Sequence, residues 1–366
     1  MAEEVLGDRA LNRALLARQG LLERQETEPL DMVERLVGLQ AQVPANPYLA
    51  LWSRLRLFDP EQLSALIADR AAVRTAVMRG TIHLLSARDA LGIHPVTLPL
   101  LAQLFKSPFG KGLAGADPAE VTAAGVELMA AEPRTRSELG ELLSPRWPDA
   151  DPASLGWCVT CHAPSVQVPP RGLWGGRGQA RMATVQQWLG RELEPRAEVD
   201  GLVLRYLAAF GPASVADART WSRVTGLREV FERLRPGLRT FRDVRGRELF
   251  DVPGGALPDP ATPAPPRFLP EYDNAGLSHD DRSRLFAGLG PSGGLPGGGT
   301  PGSLLVDGFY RAKWLLTERK GTARLEVLGF TAHAGDPAGT AAAIEAEANA
   351  MLGFLAPGAE RRELVL

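Results

Sequence analysis

The sequence predicts a mainly α fold with small β elements (α+β), in which three helical units, each closed by a short hairpin, precede a β-rich C-terminal part. Three observations support this prediction. Helix starts are clearly marked in the N-terminal half, strand-like alternation follows the helices in three places, and the composition changes after Val252. The length of 366 residues suggests two or three units.

Capping signals mark the helix starts. An Asp followed by Pro opens a helix at Asp59, Asp117 and Asp151, because Asp accepts hydrogen bonds from the first N–H groups and Pro fits the first helical position. Thr135 and Glu138 have the spacing of a capping box. The N-terminal half is therefore expected to be mainly helical.

The first two units end in strand-like segments. The first unit runs from about residue 6 to residue 86 and ends in a strand over 81–85. The second unit covers about 117–190, and its last part alternates as strand, glycine turn and strand between residues 166 and 185. Both units therefore place a hairpin after their helices.

The third unit, residues 200–253, has the clearest pattern. Its helices are expected over residues 202–210, from the cap Ser214 onward, and over about 227–234. Gly211-Pro212 separates the first helix from the second. Residues 240–252 then alternate like a two-stranded wing. Three helices followed by a wing is the order of a winged helix.

The C-terminal part begins with a Pro/Ala-rich linker over residues 253–266. Residues 288–302 form a Gly/Pro/Ser-rich loop that is expected to be mobile. Strand-like segments follow from Ser303, and a final helix covers about 340–354. This pattern predicts a small β-barrel or sheet with a closing helix. The expected units are residues 1–115, 116–198, 199–255 and 256–366.

Composition and charge exclude several classes of protein. Apolar residues make up 45% of the chain and charged residues 23%, as in ordinary globular proteins. We expect no membrane span and a cytoplasmic location, because no run of 18 apolar residues occurs and the N-terminal segment carries charge throughout. The net charge of -2 argues against a protein that coats a polyanion. Residues 201–250, however, hold ten Arg and five acidic residues, an excess of five positive charges.

The segment Cys158-Val159-Thr160-Cys161-His162 has the spacing of a c-type haem attachment site. We interpret the match as accidental, because no export signal precedes it, no thioredoxin-like context surrounds it, and two Cys are too few for structural zinc. Two reduced thiols on or near a helix are expected. The five His have no metal-ligand spacing, and no phosphate-binding glycine loop or nucleophile elbow occurs. No metal and no cofactor are therefore expected.

Two glutamines, Gln40 and Gln42, follow an apolar helical stretch and precede Pro44. Glutamine has no useful acid–base pKa, so it can only orient a water or place a carbonyl dipole against developing positive charge. Those roles suit a reaction whose leaving group is already activated. The alternative interpretation is that the two amides only hydrogen-bond the loop before Pro44.

Residues 269–274 carry two carboxylates, Glu271 and Asp273, just ahead of Arg282 and Arg284. One interpretation is a base–water pair or an Arg-paired orienting carboxylate. The other is a structural salt bridge.

Several separated segments resemble one known family. They are residues 12–19, 38–42, 47–52, 78–84, 169–174, 206–212 and 269–284. In this order they resemble the AlkZ-like branch of a bacterial winged-helix superfamily that also contains YcaQ-like proteins, and the resemblance covers nearly the whole chain. It implies three tandem winged-helix motifs in a C-shaped arrangement with a C-terminal β-barrel. It also implies a DNA glycosylase that removes alkylated bases, including bulky adducts and interstrand crosslinks made by natural-product genotoxins.

The catalytic element of that family is Gln, an aliphatic residue, Gln, which falls here on Gln40, Ala41 and Gln42. The YcaQ-like branch has Asp in the second catalytic position, and this sequence does not. Alkylation at guanine N7 makes the base cationic and weakens its bond to the sugar, so the protein need not protonate the leaving group. Two Gln carbonyls can hold water near the anomeric carbon and stabilise an oxocarbenium-like transition state.

The implied partner is damaged double-stranded DNA, held along its phosphates by a monomer. Candidate DNA-contacting residues are Arg79, His83, Arg171, Arg177, Arg242, Arg245, Arg247 and Asp273. No Lys is placed as a Schiff-base nucleophile, so a monofunctional glycosylase is expected, acting in repair of alkylated DNA or in self-resistance. Two alternatives stay open: a non-enzymatic winged-helix DNA-binding regulator, and a resistance protein that sequesters adducts without turnover.

Overall fold

A computed structural model describes residues 4–196, 198–286, 302–330 and 339–366. The helices are α1 (Asp8–Arg18), α2 (Pro29–Arg35), α3 (Asn46–Trp52), α4 (Pro60–Ala68), α5 (Ala87–Lys106), α6 (Pro118–Ala131), α7 (Arg136–Leu143), α8 (Pro152–His162), α9 (Val185–Leu189), α10 (Val199–Phe210), α11 (Val215–Ser222), α12 (Leu227–Leu234), α13 (Asn274–Leu277) and α14 (Thr340–Leu355). The strands are β1 (Val5–Leu6), β2 (Leu39–Gln40), β3 (Ala72–Ala76), β4 (Ile82–Ser86), β5 (Arg134–Thr135), β6 (Ser165–Gln167), β7 (Arg181–Thr184), β8 (Arg239–Asp243), β9 (Glu248–Asp251), β10 (Arg267–Leu269), β11 (Gly302–Val306), β12 (Phe309–Arg319), β13 (Thr322–Leu328) and β14 (Arg361–Val365). These elements form a mixed α+β fold with three sheets.

The predicted helix starts are confirmed. Asp59, Asp117 and Asp151 accept hydrogen bonds from the first turns of α4, α6 and α8. Thr135 and Glu138 form a reciprocal capping box at α7, and Ser214 forms another at α11. An N-cap of this kind contributes about 1 kcal/mol. The local sequence therefore determines where these helices begin.

The largest sheet has six strands in the order β2-β4-β3-β6-β7-β5, and every pair in it is antiparallel. Strands β2, β4 and β3 come from the first predicted unit, and β6, β7 and β5 come from the second. The two units therefore share one continuous sheet through the β3–β6 pairing. Strand β2, which carries Gln40, lies at one edge of this sheet.

The third predicted unit has the expected order of three helices and a hairpin, α10, α11, α12, β8 and β9. Its core is aromatic: the rings of Tyr206 and Trp221 lie 4.9 Å apart and those of Phe231 and Phe250 lie 5.0 Å apart. Strand β1 pairs in parallel with β8, so the start of the chain completes this small sheet. The division into four units and the winged-helix assignment stay predictions.

The C-terminal sheet corrects one expectation. Its five strands follow the order β10-β11-β12-β13-β14, and no pairing between β10 and β14 occurs in the part of the chain that the structure describes. No closed barrel is therefore found. Helix α14 packs Ile344, Ala348 and Met351 into the core of this sheet, so a helix buries apolar surface that barrel closure would otherwise bury.

Two expectations from the sequence fall partly on residues that the structure leaves undescribed. The expected mobile loop, apart from Gly302, and His333 lie outside the described residues. Among the residues that are described, no helix has both the length and the apolar character needed to cross a membrane.

Candidate active site

The backbone around Gln40 is shaped by a glycine. Gln40 pairs with His83 of β4, and Gly38, just before the strand, has a φ of +91°. A Cβ at Gly38 would lie 2.3 Å from Leu85 Cδ2, so both the conformation and the close approach require glycine. This turn connects α2 to the edge strand β2, which carries Gln40.

The outer edge of β2 is completed by a side chain from the distant C-terminal part. Asn274 Oδ1 accepts a hydrogen bond from Gln40 N at 3.1 Å, and Asn274 Nδ2 donates to Gly38 O at 2.6 Å. One amide group thus satisfies the two backbone groups that a further strand would bind. Asn274 positions Gln40, and the sequence analysis did not single it out.

Asp273 holds Asn274 in place. Its carboxylate binds Arg54 through two bonds of 2.7 and 2.9 Å, with both side chains buried, and it caps α13 by accepting from Ala275 N at 3.0 Å. A buried salt bridge therefore forms in this segment with Arg54 as the partner, and an Arg-paired orienting carboxylate would have the same geometry. Because its oxygens are committed to Arg54 and the cap, the geometry favours a structural role over the DNA contact expected for Asp273.

The two glutamine side chains lie in one hydrogen-bonded loop. Gln40 Oε1 accepts from Gln42 N at 3.3 Å, and Gln42 Oε1 accepts from Ile82 N at 3.2 Å. Gln40 is buried and Gln42 is exposed. The loop bonds of the alternative interpretation therefore exist, and they also orient both amides. Each Oε1 retains a second lone pair, and each Nε2 carries two hydrogens, so the oriented amides can still bind a substrate or a water.

The middle residue of the motif is fixed from both sides. Ala41 is fully buried, its N–H donates to Ile82 O at 2.8 Å, and its carbonyl accepts from Arg74 Nη2 at 2.7 Å. Burial, and secondarily the charge of Arg171, lower the pKa of Arg74 to about 10. Arg74 was not predicted from the sequence, and it connects the motif to β3, on the far side of β4.

His83 lies across the strand pair from Gln40 and is neutral. Its Nδ1 donates to Thr81 O at 2.9 Å, and its Nε2 accepts from Arg79 Nη2 at 3.1 Å. Burial, together with the charge of Arg79, lowers the pKa of His83 to about 3. Arg79 also donates to Trp221 O at 2.6 Å, so it connects the sheet to α11. Both residues are near the site as expected, but their bonds are internal.

The predicted wing arginines lie in a different sheet and bind other parts of the chain. Arg245 pairs with Asp8 at 2.7 Å, and Arg247 pairs with Asp243 at 2.6 Å and Asp281 at 2.7 Å. Arg242 donates to Gly246 O at 2.9 Å within the hairpin turn. A phosphate contact would have to compete with these bonds.

Further arginines lie near Arg79 and Arg74, the two arginines bonded to His83 and Ala41. Burial, followed by the charges of Arg223 and Arg282, lowers the pKa of Arg79 to about 10. The charge of Arg171 likewise contributes, after burial, to the lowered pKa of Arg74. Arg171 donates a hydrogen bond to Gly178 O at 3.0 Å. Arg177 is exposed on the same loop. Arg223 was missed as a site candidate, and the Arg-rich composition of residues 201–250 was its only signal. Arg282 was named only as a possible partner of the carboxylates in residues 269–274.

The cysteine motif has no ligand geometry. Cys158 and Cys161 are free, buried thiols of α8, as expected, and burial raises the pKa of Cys158 to about 11. Among the described residues, no group of three or more His, Cys, Asp or Glu side chains could hold a metal ion.

The chain combines a mixed α+β fold with two glutamines, joined by a hydrogen bond, at the edge strand of its largest sheet. Residues 33–354 match the family model described as DNA glycosylase AlkZ-like, so the chain belongs to the AlkZ-like family of DNA glycosylases, which hydrolyse N-glycosyl bonds. The family resemblance predicted from the sequence is thereby confirmed.

Two known proteins illustrate the relationship. The chain is 28% identical over 273 residues to an interstrand DNA cross-link repair glycosylase of Streptomyces sahachiroi, covering 64% of this chain and 67% of the relative. The solved structure of Streptomyces sahachiroi DNA glycosylase AlkZ superimposes with a TM-score of 0.70 at 19% identity, covering 98% of this chain and 99% of that one. The second match shows a shared fold.

Proposed function

We propose that Gln40 and Gln42 are the catalytic pair of a monofunctional glycosylase that hydrolyses the N-glycosidic bond of N7-alkylated guanine in double-stranded DNA. The observation that supports this most directly is that backbone N–H groups orient the side-chain amides of both glutamines. Gln42 N binds Gln40 Oε1, and both side chains are oriented by backbone groups of β2 and β4. Such orientation before substrate binding is what electrostatic catalysis requires.

The two amides have different roles in this proposal. Gln42 is exposed and contacts the nucleotide, orienting the attacking water and placing its carbonyl dipole against the developing oxocarbenium ion. Gln40 is buried, and its Oε1 positions Gln42 by accepting a hydrogen bond from the Gln42 backbone N–H. The alkylated base leaves as a neutral group, so neither residue needs to transfer a proton to it.

The neutral state of His83 fits a cationic transition state. A protonated imidazole opposite Gln40 would place a further positive charge beside the developing oxocarbenium ion. With its pKa lowered to about 3 by burial and by Arg79, His83 carries no charge at neutral pH.

A hydrolytic mechanism without lyase activity is supported by the positions of the lysines. Lys106, Lys111 and Lys320 are exposed, Lys313 lies on β12, and no hydrogen bond or ion pair in the described structure joins any of them to the glutamine pair. A Schiff-base mechanism needs an amine that reaches the anomeric carbon.

We include bulky adducts and interstrand crosslinks among the substrates, because the curated relative is named an interstrand cross-link repair glycosylase. The role is then DNA repair or genotoxin self-resistance. A monomer with tandem winged-helix motifs would hold the duplex through phosphates. Arg171, Arg177, Arg223 and Arg282 are the proposed contacts near the site.

The test uses one duplex with N7-methylguanine and one with an interstrand crosslink, each treated with alkali after incubation. Wild type should yield strand cleavage at the abasic site, and Gln40→Ala and Gln42→Ala should abolish it. Gln103→Ala, on the exposed surface of α5, is the matched control and should behave as wild type. Glutamine variants that cleave like wild type would refute the catalytic assignment, and tight binding to one defined undamaged sequence without excision would favour a regulator.

A further inference from the structure

A cavity of about 180 Å³ opens beside Gln42. It lies between the β3–β4 hairpin and helices α5 and α8. Its walls include Ile82, Leu104, Phe109, Trp157 and Gln167. Because the backbone N–H of Ile82 also orients the Gln42 side chain at 3.2 Å, the cavity and the proposed catalytic amide share one wall.

One side of the cavity is a stack of planar groups. The guanidinium carbon of Arg136 lies 3.4 Å from the ring centroid of Trp157. Phe109, in the segment after α5, stacks with Trp157 at 4.7 Å between centroids and 16° between planes. Flat, nearly parallel surfaces of this kind favour a flat aromatic ligand over a branched aliphatic one.

Two further features of the cavity favour ligand binding. Gln167 Oε1 is buried without a hydrogen-bond partner among the described residues, which is unfavourable unless a ligand donates to it. Leu104 is 47% exposed at the cavity, leaving apolar surface in contact with solvent. A planar ring with an N–H on its edge would satisfy both groups.

We propose that this cavity binds a planar aromatic ring of the damaged nucleotide while Gln42 acts at the glycosyl bond. The inference rests on the proposed catalytic role of Gln42 and adds a substrate-binding subsite to it. Two sources supply such a ring: the damaged base, turned out of the duplex, or an aromatic substituent that the alkylating agent has left on the base. Stacking of one ring on aromatic side chains changes binding about 5- to 150-fold.

The test fills the cavity. Leu104→Trp places a larger side chain at its wall, and Leu142→Trp, on α7 and 46% exposed, is the matched control outside it. Two duplexes are compared, one with N7-methylguanine and one with an N7-naphthylmethylguanine. Binding is measured by fluorescence anisotropy, and excision by single-turnover kinetics. Leu104→Trp should weaken binding of at least one duplex by about tenfold or more, and Leu142→Trp should leave both unchanged.

The outcomes distinguish the two sources of the ring. If Leu104→Trp binds both duplexes more weakly, the ring is that of the base itself. If it binds only the naphthylmethyl duplex more weakly, the ring is that of the substituent. Equal binding by Leu104→Trp and Leu142→Trp on both duplexes overturns the inference. Trp157→Ala, checked for folding by thermal melting, should act in the same direction as Leu104→Trp because it removes the central ring of the stack that forms this wall.

A failure of the proposed catalytic function can be distinguished from a failure of the subsite. If wild type excises neither lesion, or if Gln42→Ala retains activity, the catalytic proposal fails, while the anisotropy measurement still tests the cavity. If Gln42→Ala is inactive and cavity filling has no effect, only the subsite is rejected.

Discussion

The glutamine site and the β8–β9 hairpin use polar side chains in opposite ways. At the glutamine site, groups far apart in sequence converge on one short strand: Asn274 binds Gln40, and Arg74 binds Ala41. In the hairpin, the arginine side chains are partly exposed and pair locally or with the start of α1, as in the Arg247–Asp243 and Arg245–Asp8 pairs.

This difference has consequences for stability and function. Buried groups such as Asn274 and Arg74 have no water to replace a lost partner, so each substitution there leaves an unsatisfied atom. Exposed ion pairs exchange partners with solvent at little cost. The glutamine site should therefore be sensitive to single changes, and the hairpin should be tolerant.

The largest effect is expected from Asp273→Ala, which leaves the Arg54 guanidinium buried without its carboxylate. Breaking a buried pair in this way costs about 3–5 kcal/mol. Chemical denaturation should detect the lower free energy of unfolding. The matched control is Asp8→Ala, which breaks the partly exposed pair with Arg245. Equal losses for the two variants would contradict the contrast drawn between the regions.

Asn274→Leu should remove the amide that completes the edge of β2. Gln40 N and Gly38 O would both lose their partner, at about 1–3 kcal/mol for each group. Because Gln40 would also lose its position, the excision rate should fall about tenfold or more at unchanged DNA affinity. Folded Asn274→Leu protein with wild-type excision would show that Asn274 does not position the glutamine.

Stability should fall as the pH is lowered from about 6.5. Burial lowers the pKa of His94 to about 4, and burial with the charge of Arg79 lowers that of His83 to about 3. Below pH 6.5 the unfolded chain binds protons that the native chain excludes, so the stability present above pH 6.5 is lost progressively towards pH 3–4. At pH 5 the loss is about 2 kcal/mol per histidine. Unfolding curves between pH 7.5 and 5 measure it. A His83→Gln/His94→Gln variant should make the profile shallower by these two contributions and leave that of His279, whose pKa burial lowers to about 3.

The smallest effects concern DNA contacts. Arg223→Ala should weaken binding to damaged duplex and reduce the slope of log affinity against log salt by about 1, as expected for one lost phosphate contact. Arg245→Ala should leave that slope unchanged, because Arg245 is paired with Asp8. Salt titrations of both variants provide the comparison. A reduced slope for Arg245→Ala with an unchanged slope for Arg223→Ala would identify the hairpin as the main phosphate-binding surface.

Part of this molecule could be predicted because its causes are local. The caps at Asp59 and Ser214 act within one helical turn, and the β8–β9 hairpin follows from alternation around a single glycine turn. The glutamine motif was recognised through the family resemblance, which a motif of three contiguous residues makes easy to place on the sequence. These features need no information about distant parts of the chain.

What the sequence by itself determined is therefore the starts of the capped helices, the order of helices and strands in the third unit, the family, and the candidate pair Gln40 and Gln42. Only the tertiary structure decided that β3 joins β6, that the C-terminal strands form an open sheet under α14, and that Asn274 and Arg74 hold the motif. Such contacts depend on which apolar faces are buried together across the whole chain, and no local pattern encodes that choice.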